Sequence, residues 1–437
     1  MPSYKQILTG RINKKKAKIA VIGLGYVGLP LAVEFAKKGF SVLGIDIDAE
    51  KVNMLNRGIS YIQDITGSAI KNITRNNNFY STSNYNDLTK ADVIIISVPT
   101  PLTKTREPDI SYIVSASEKI KENFKKGQLI ILESTTYPGT TVELLLPLFS
   151  EKGLKVGRDF FLAFSPERVD PGNKDFHTAN IPKIVGGVTK DCTGLAKLTY
   201  GKVIPNIISV SSPTVAETAK LLENTFRAVN IGLINEFALM CDKLKINIWE
   251  VIEAAKTKPF GFMPFYPGPG LGGHCLPIDP LYLAWKSRMH GFEPRLIELA
   301  SQINSYMPTY IVNKAAEIIN TKSKRAIGEA NILVVGVSYK KDVSDVRESP
   351  AAEIINMLME KDADVSYYDP YVPLLALDKK RLHSVKLTKD SIAKSDCVII
   401  VTNHTNIDYG FLLKNAKLIF DTRNIYNGLN NPKIFRI

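Results

Sequence analysis

The stretch KIAVIGLGYVG, residues 18–28, determines how the rest of the sequence is interpreted. Its first five residues have the apolar pattern of a strand, Gly-x-Gly-x-x-Gly follows at once, and a helical pattern comes next. A second apolar strand then ends in Asp46, 23 positions after Gly23. This strand, turn and helix predict a dinucleotide pyrophosphate on the helix N-terminus and a ribose on Asp46. An acid at that position repels a 2′-phosphate, which favours NAD over NADP; a tight turn without a ligand is the alternative.

Strands and helices alternate along the chain, which predicts parallel sheets. The pattern favours an α/β fold with two doubly wound Rossmann-like domains, joined by a long central helix and a small helical middle domain. Further strands are predicted at residues 92–98, 128–133, 160–164, 330–337, 365–368, 397–402 and 418–421. The predicted domains are a basic N-terminal extension (1–16), an NAD-binding Rossmann domain (17–211), a central helical domain (212–320) and a C-terminal Rossmann-like domain (321–437).

Composition excludes several classes of function. The net charge of +13 is spread along the chain, which favours an anionic small substrate or solvated surface over a nucleic-acid groove. The longest apolar runs have the length of strands, so we expect no membrane span and a cytoplasmic protein. The four cysteines lie far apart without a CxxC spacing, which argues against a zinc site and against a disulfide framework.

A glycine-rich loop with one cysteine, GPGLGGHCLPIDP, occupies residues 268–280. Asp279-Pro280 is interpreted as the N-cap and first position of a helix from Leu281 to His290. A thiolate just before a helix N-terminus is stabilised by the helix dipole, and this makes Cys275 a candidate nucleophile. A structural cysteine in a Pro/Gly loop is the alternative reading of Cys275.

A long helical pattern runs from Ser212 to about Leu244. Its polar residues at spacings of three and four share one face, which is either solvated or lines a cleft: Glu217, Lys220, Asn224 and Arg227. Apolar residues with similar spacing form another face: Leu222, Phe226, Val229 and Leu233.

In their order along the chain, these motifs resemble the NAD-dependent UDP-glucose/GDP-mannose dehydrogenases, which oxidise nucleotide sugars at C6. The likeness covers almost the whole chain from Lys18, and its specific signatures are the Lys220/Asn224 face and the Gly-Gly-His-Cys-Leu-Pro-Ile-Asp element. The Ser-Pro-Glu-Arg turn at residues 165–168 and the segment FYPGPG at residues 265–270 resemble the branch that acts on UDP-N-acetylhexosamines.

The resemblance implies a four-electron oxidation in which a primary alcohol becomes a carboxylate and two NAD+ are reduced. The implied substrate is UDP-N-acetyl-D-glucosamine, with UDP-N-acetyl-D-mannosamine or UDP-glucose as alternatives, and the implied product is a uronic acid for polysaccharides such as capsule or O-antigen. A catalytically silent nucleotide-sugar sensor and a two-electron dehydrogenase are the other hypotheses. Members of the family associate through the central helix, which implies a homodimer or a higher homo-oligomer.

The resemblance also implies a set of site residues. The catalytic positions are Cys275, which attacks an aldehyde to form a thiohemiacetal and then a thioester, and Lys220, Asn224, Asp279, Thr135 and Glu167. The cofactor-binding positions are Gly23, Gly25, Tyr26, Val27, Gly28, Asp46, Lys51, Pro99, Thr100, Thr135 and Arg347. The substrate-binding positions are Glu167, Arg168, Lys220, Asn224, Phe265, Tyr266, Gly270, Gly272, Gly273, Tyr339, Lys340 and Arg423.

Two departures set this chain apart from the UDP-glucose enzymes. Where they carry a second glutamate, four residues after the first, this chain has Pro171 beside Asp170. It also lacks their substrate-binding arginine in the loop before the cysteine; the cations available instead are Lys256, Lys258 and Arg168. The first departure argues against glucose-type handling of water or substrate.

Overall fold

A computed structural model describes residues 2–62, 65–169, 178–273, 275–377 and 380–437, with the backbone alone for Lys152. The helices of these residues are α1 (Tyr4–Asn13), α2 (Gly28–Lys37), α3 (Ala49–Asn56), α4 (Gly67–Arg75), α5 (Ser111–Glu122), α6 (Leu146–Ser150), α7 (Lys190–Tyr200), α8 (Pro213–Leu244), α9 (Ile248–Ala255), α10 (Asp279–Met289), α11 (Arg295–Ser323), α12 (Pro350–Glu360), α13 (Lys389–Lys394) and α14 (Tyr409–Asn415). A π-helical turn, Thr141–Leu145, leads into α6.

The strands of the described residues form one mixed eight-stranded sheet, one parallel five-stranded sheet and one hairpin. They are β1 (Lys18–Ile22), β2 (Ser41–Ile45), β3 (Phe79–Thr82), β4 (Val93–Ile96), β5 (Leu129–Leu132), β6 (Phe161–Phe164), β7 (Lys183–Gly187), β8 (Ile207–Ser209), β9 (Asn331–Val335), β10 (Asp364–Tyr368), β11 (Leu374–Ala376), β12 (Arg381–His383), β13 (Cys397–Ile400), β14 (Ile419–Asp421) and β15 (Ile434–Arg436).

The first sheet has the order β3-β2-β1-β4-β5-β6-β7-β8, and only the β6–β7 pair is antiparallel. Its first six strands follow the classic dinucleotide-binding order. Strand β1 pairs with both neighbours in register, so that Ile22 lies opposite Ile45 of β2 and Ile96 of β4. The carboxyl ends of these three strands therefore meet at one edge, where the polar loops predicted from the sequence begin.

Burial explains why the central strands contain continuous apolar runs. Strands β4, β5 and β6 have the sequences VIII, LIIL and FLAF, and every residue in them is buried. A parallel sheet covered on both faces has no solvent side, so its strands do not alternate polar and apolar residues. The segment predicted as a basic extension forms α1, which buries Leu8 and Ile12 in the core of this sheet.

The second sheet has the order β10-β9-β13-β14-β15 and is parallel throughout. Counted from β9, this is the 2-1-3-4-5 arrangement of doubly wound folds. The chain divides into two compact units, residues 1–223 with 285–291 and residues 224–284 with 292–437. The predicted fold class, α/β with two Rossmann-like domains and a long central helix, is confirmed.

Candidate active site

The glycine turn after β1 leaves space for a ligand at its middle glycine. A Cβ on Gly28 would lie 1.9 Å from the carbonyl oxygen of Gly23, and one on Gly23, whose φ is +88°, would lie 2.2 Å from that of Ser97. A Cβ on Gly25 would meet no heavy atom within 4 Å. The two outer glycines are thus required by the turn itself. The space at Gly25, before the N-terminus of α2, fits the close approach of a dinucleotide pyrophosphate.

Asp46 at the end of β2 is held toward this turn. Its Oδ2 accepts a hydrogen bond from the Leu24 N–H at 2.8 Å, and its Oδ1 accepts one from the Asp48 N–H at 3.0 Å. A carboxylate oxygen has two lone pairs, so the fixed carboxylate retains acceptor capacity for ribose hydroxyls. Lys51 lies nearby on α3, where its ammonium is 3.5 Å from Asp48.

The loop after β4 carries Pro99 and Thr100 and is tied to the loop after β5. The Val98 N–H donates to Ser134 Oγ at 2.8 Å. Thr135 follows Ser134 and is half-buried. The structure therefore holds together the two loops that carry these predicted cofactor-binding residues.

Glu217, in the first turns of α8, binds the loop that follows Thr135. Its carboxylate accepts hydrogen bonds from the N–H of Gly139 at 2.6 Å and from the N–H of Thr141 at 3.0 Å. The Thr141 hydroxyl donates to the same carboxylate at 2.7 Å. These bonds satisfy N–H groups at the start of a helical segment, a task usually left to a local N-cap. Sequence reasoning placed Glu217 only on a polar stripe, because it had no means of pairing residues so far apart.

A buried ionic cluster adjoins Glu167, the glutamate of the Ser-Pro-Glu-Arg turn. The Lys183 ammonium lies 3.0 Å from Glu167 Oε2 and also contacts Glu133. The Tyr200 hydroxyl donates to Glu133 at 2.7 Å. Sequence reasoning missed Lys183, which begins β7, and Tyr200, which ends α7, since neither of these elements was predicted.

The pKa values of the two carboxyls are shifted in opposite directions. Burial raises the pKa of Glu133, although the Lys183 charge opposes it. Burial would also raise the pKa of Glu167, but the Lys183 charge and accepted hydrogen bonds outweigh it, and that pKa is lowered. The neighbouring Tyr200 also has a raised pKa because of burial.

The polar stripe of α8 is buried over its first half. Glu217 is fully buried, Lys220 is 7% exposed, Asn224 is half-buried and Arg227 is exposed. Among the described residues, the Lys220 ammonium forms no ion pair with a carboxylate. A buried ammonium without a counter-charge is costly, so this position favours an anionic ligand or a developing negative charge. The solvated interpretation holds only for Arg227.

Asn224, Asp279 and Cys275 come together in one unit. The Asn224 amide donates to Asp279 Oδ2, and the Asp279 N–H donates to the Cys275 carbonyl at 2.8 Å. Helix α10 begins at Asp279 itself. The prediction of Asp279 as N-cap of a helix from Leu281 was therefore wrong by two residues, because the N–H groups of Ile278 and Asp279 already bond back to Cys275.

Cys275 is half-buried, whereas Cys192, Cys241 and Cys397 are buried. The preceding His274 lies outside the described residues. The cysteine that sequence reasoning selected is therefore the most accessible of the four.

The glycine-rich loop before Cys275 packs against the loops that follow β9. The Gly273 N–H donates to the Arg347 carbonyl at 3.2 Å. A Cβ on Gly272 would lie 2.7 Å from Tyr339 Cβ and 2.9 Å from the Glu348 carbonyl oxygen, so only glycine permits this approach. The Arg347 side chain itself pairs with Asp345 at 2.6 Å. Tyr339 precedes the half-buried Lys340, whose carbonyl accepts the Ser338 hydroxyl at 2.8 Å.

The start of the same loop lies against Arg423. A Cβ on Gly268 would be 2.7 Å from Arg423 Nη1, and Arg423 Nε donates to the Val401 carbonyl at 2.8 Å. Burial lowers the pKa of Arg423 to about 10, which leaves the guanidinium charged at neutral pH. Among the described residues, no acceptor is bonded to the Nη groups of Arg423, and a desolvated guanidinium of this kind suits a phosphate. Gly270, with φ +134°, continues the loop.

Aromatic residues line the approach to this loop. Phe265 packs edge-on against Phe226 with ring centroids 5.9 Å apart, and Tyr266 stacks on Trp249 at 6.1 Å. The Tyr266 hydroxyl donates to Glu253 at 3.0 Å. These contacts give the Pro- and Gly-rich segment a fixed conformation without regular secondary structure.

The three cations that are available in place of the missing arginine, Arg168, Lys256 and Lys258, each contact another group within the chain. Arg168 bonds Glu223 and, at 2.8 Å, the Pro182 carbonyl. Lys256 pairs with Glu253, and Lys258 lies 5.0 Å from the centre of the Phe260 ring. Asp170 and Pro171, the other departure, lie outside the described residues.

Three family models match the chain in sequence order. The NAD binding domain of the UDP-glucose/GDP-mannose dehydrogenase family matches residues 17–204, its central domain matches 214–306, and its UDP binding domain matches 333–428. The chain belongs to the UDP-glucose/GDP-mannose dehydrogenase family. It is therefore an NAD-dependent oxidoreductase, and the predicted family and cofactor are confirmed.

Known relatives resemble the chain over most of its length. UDP-N-acetyl-D-glucosamine 6-dehydrogenase from Pseudomonas aeruginosa is 38% identical over 360 residues, 82% of this chain and 84% of the relative. UDP-N-acetyl-D-mannosamine dehydrogenase from Methanococcus aeolicus is 36% identical over 433 residues, 95% of this chain and 93% of the relative. The solved structure of UDP-D-ManNAc dehydrogenase from Pyrococcus horikoshii has a TM-score of 0.86 at 35% identity, covering 96% of this chain and 99% of that one.

The described helices include none with both the length and the apolar character that crossing a bilayer requires.

Proposed function

We propose that this member of the family oxidises the C6 hydroxymethyl group of a UDP-N-acetylhexosamine to the uronic acid and releases two NADH. The proposed substrate is UDP-N-acetyl-D-glucosamine. The observation that carries the proposal is the chain of contacts from Asn224 through Asp279 to Cys275, with the buried Lys220 one helical turn before Asn224. An amide, a carboxylate, an ammonium and a thiol are the groups that covalent oxidation of an aldehyde requires.

The cofactor would bind at the glycine turn and Asp46, with Tyr26, Val27, Lys51, Pro99, Thr100, Thr135 and Arg347 as further contacts. Bound NAD+ supplies a hydride acceptor for each of the two oxidations. The residues fit this group, since the turn is open at Gly25 and Asp46 is held toward the turn by the Leu24 N–H.

Cys275 is the proposed nucleophile. Its sulfur adds to the carbonyl carbon of the C6 aldehyde and gives a thiohemiacetal, whose loss of a hydride and a proton gives a thioester. Water then adds to the thioester carbonyl, the C–S bond breaks, and the uronate leaves. A position before the N-terminus of α10 stabilises the thiolate that begins and ends this sequence.

The polar residues of α8 stabilise the developing negative charge. Lys220 and Asn224 are four apart on one helix, so an ammonium and an amide project from the same face. Asp279, which accepts a hydrogen bond from Asn224, is placed to take part in proton transfer. Thr135 and Glu167 are the proposed residues for positioning water and accepting its proton.

Residues of the second unit would bind the nucleotide sugar. Arg423 offers a desolvated cation beside Gly268, and Lys340 follows Tyr339 in the loop packed on Gly272 and Gly273. The further contacts in this proposal are Phe265, Tyr266 and Gly270 from the same loop. Arg168 of the Ser-Pro-Glu-Arg turn, which belongs to the first unit, is proposed from the family resemblance alone.

The names of the relatives bear on the choice between the two N-acetylhexosamines. The Pseudomonas aeruginosa relative at 38% identity is named for UDP-N-acetyl-D-glucosamine. The archaeal relatives at 34–37% identity are named for UDP-N-acetyl-D-mannosamine. UDP-N-acetyl-D-mannosamine is therefore the second candidate, and one assay with both sugars distinguishes them.

The test counts NADH per sugar with NAD+ and either UDP-sugar, alongside mass analysis of the product. Two NADH and a uronic acid are expected, with UDP-N-acetyl-D-glucosamine as the faster substrate. A ratio of one with an aldehyde or keto product would indicate a two-electron dehydrogenase, and tight binding without NADH would indicate a sensor.

The variant Cys275→Ala is expected to abolish uronate formation, and Cys241→Ala, which alters a buried thiol elsewhere, is the matched control. Full uronate production by Cys275→Ala would contradict the covalent mechanism.

We also propose a homodimer or higher homo-oligomer in the cytoplasm. Helix α8 exposes a row of large apolar side chains at helical spacing: Leu222, Phe226, Leu233, Phe237, Met240 and Leu244. A row of this length exceeds what a monomer usually leaves in water, which supports association with a second copy. The three buried cysteines suit a reducing compartment.

A further inference from the structure

The buried cluster around Lys183 joins two carboxyls to one cation. Glu133 follows β5, Glu167 follows β6, and Lys183 begins β7, so the three groups come from neighbouring strands. Glu133 is 1% exposed and Lys183 is 3% exposed. Lys183 contacts both carboxylates, and the Tyr200 hydroxyl bonds the far oxygen of Glu133.

The charges of this cluster balance only with one proton. Two carboxylates and one ammonium leave a net negative charge in the interior, and burying such a charge is costly. One shared proton makes the cluster neutral. Because interacting carboxyls titrate as a pair, the proton belongs to both rather than to either residue.

The hydrogen bonds show where the negative charge is most stable. Glu167 Oε1 accepts hydrogen bonds from the N–H groups of Arg168 and Val169, each at 2.7 Å, and its Oε2 accepts one from the Lys183 ammonium at 3.0 Å. Among the described residues, Glu133 accepts hydrogen bonds only from the Lys183 ammonium and the Tyr200 hydroxyl. The anion is therefore better stabilised on Glu167, and the proton is better placed on Glu133.

We propose that Glu133 and Glu167 act as one proton-accepting pair held by Lys183, in which Glu133 and Lys183 are positioning residues for Glu167. This inference rests on the function proposed above. In the hydrolytic step, the water oxygen bonds to the thioester carbon while one water proton passes to the carboxylate pair in its proton-free form. The C–S bond breaks and Cys275 leaves as a thiolate, and the carboxylic acid that forms releases its remaining proton to solvent. Lys183 stays an ammonium throughout.

The pair explains how Glu167 can act as a base at neutral pH. A lone carboxylate beside a buried lysine and two N–H donors holds protons weakly, and a base works best with a pKa near the working pH. The second carboxyl supplies the missing proton affinity, as burial raises the pKa of Glu133. Among the described residues, the groups that face the pair are Lys183 from β7, Tyr200 from α7, and the Ser165 hydroxyl. The hydrogen bond of Ser165 opposes the rise in the pKa of Tyr200.

The decisive variant is Glu133→Gln, which keeps the shape of the side chain and removes its titration. In the parent enzyme, kcat should fall as the pH is lowered through about neutrality, which gives the pH profile an acid limb. In Glu133→Gln this acid limb should move down by more than about one pH unit, and the plateau rate should fall by roughly tenfold, because Glu167 becomes a weaker base. The matched control is Glu122→Gln, an exposed carboxylate that pairs with Lys119.

Tyr200→Phe tests the same idea in the opposite direction. Loss of the hydroxyl that stabilises the Glu133 anion should move the acid limb to higher pH, so this variant also serves if Glu133→Gln fails to fold. An equal loss of rate at every pH, without movement of the limb, would mean a merely structural role and would overturn the proposal. An unchanged profile would overturn it as well.

A titration without substrate separates this proposal from the proposed function. Infrared difference spectra of the protein alone should show a protonated carboxyl that ionises near neutral pH and is lost in Glu133→Gln. Its absence would refute the pair even if the enzyme makes two NADH per sugar. Its presence in a protein that oxidises no UDP-sugar would refute the function and leave the pair intact.

Discussion

Asn235 connects the middle of α8 to the start of the cysteine loop, and its replacement should weaken both the second unit and nucleotide binding. This side chain is fully buried. Its Oδ1 accepts the Gly268 N–H at 3.0 Å, and its Nδ2 donates to Asn304 Oδ1 at 2.8 Å. Asn304 in turn donates to the Ala228 carbonyl at 2.9 Å. Asn235→Leu keeps the volume of the side chain and removes both bonds.

The expected cost follows from two groups left without partners. The Gly268 N–H and Asn304 Oδ1 each lose their bond inside the protein, at about 1–3 kcal/mol per group. The extra apolar contact of leucine offsets about 1 kcal/mol. We therefore expect a loss of about 3 kcal/mol in the free energy of unfolding of this unit. Because Gly268 lies against Arg423, the Kd for UDP should rise about tenfold, equivalent to about 1.4 kcal/mol.

Tryptophan fluorescence during urea unfolding measures the first effect. The chain has two tryptophans, and Trp249 stacks on Tyr266 just before Gly268. A Trp285→Phe background leaves Trp249 as the reporter of the second unit. Titration calorimetry with UDP measures the second effect. The control is Asn230→Leu, a half-buried position of α8 whose amide donates to the Phe226 carbonyl one turn away on the same helix.

The double variant Asn235→Leu/Asn304→Leu provides a further check. It should cost less than the sum of the single variants, because the orphaned Asn304 Oδ1 no longer exists. The reasoning would be refuted by Asn235→Leu unfolding within about 0.5 kcal/mol of its parent with an unchanged Kd for UDP, a difference typical of neutral surface changes.

Two other predictions concern the cofactor turn and the assembly. Gly25→Ala adds a Cβ that meets no protein atom, so the melting temperature should stay within about two degrees of the parent while the Kd for NAD+ rises at least tenfold. Gly194→Ala, which also adds a Cβ in open space, is the control. An unchanged Kd for NAD+ in Gly25→Ala would show that no ligand occupies this space. Phe237→Glu places a charge in the exposed apolar row of α8 and should halve the mass measured by light scattering. The control Glu236→Gln should leave the mass unchanged. A parent protein that is monomeric would disprove the proposed association.

Much of the fold was predictable because its signals are local. The run from Lys18 to Gly28 contains a strand, a turn and a helix start, and the apolar strands identify a covered parallel sheet without knowledge of their neighbours. The α8 boundary at Pro213 was predicted within one residue for the same reason, since a proline has no N–H and suits the first helical position. The start of α10 was missed by two residues, because bonds back to Cys275 extend the helix.

The sequence by itself determined the order of elements, the dinucleotide turn and the family, because each depends on spacing along the chain; it also made Cys275 the candidate nucleophile, which stays a prediction. Only the tertiary structure decided which polar residues face inward. Glu217, Glu133 and Lys183 look like ordinary surface charges in the sequence, yet each is buried with partners many residues away. Burial and pairing of charges depend on distances between strands and helices that no local pattern encodes, and the proposed proton-accepting pair therefore became visible only in three dimensions.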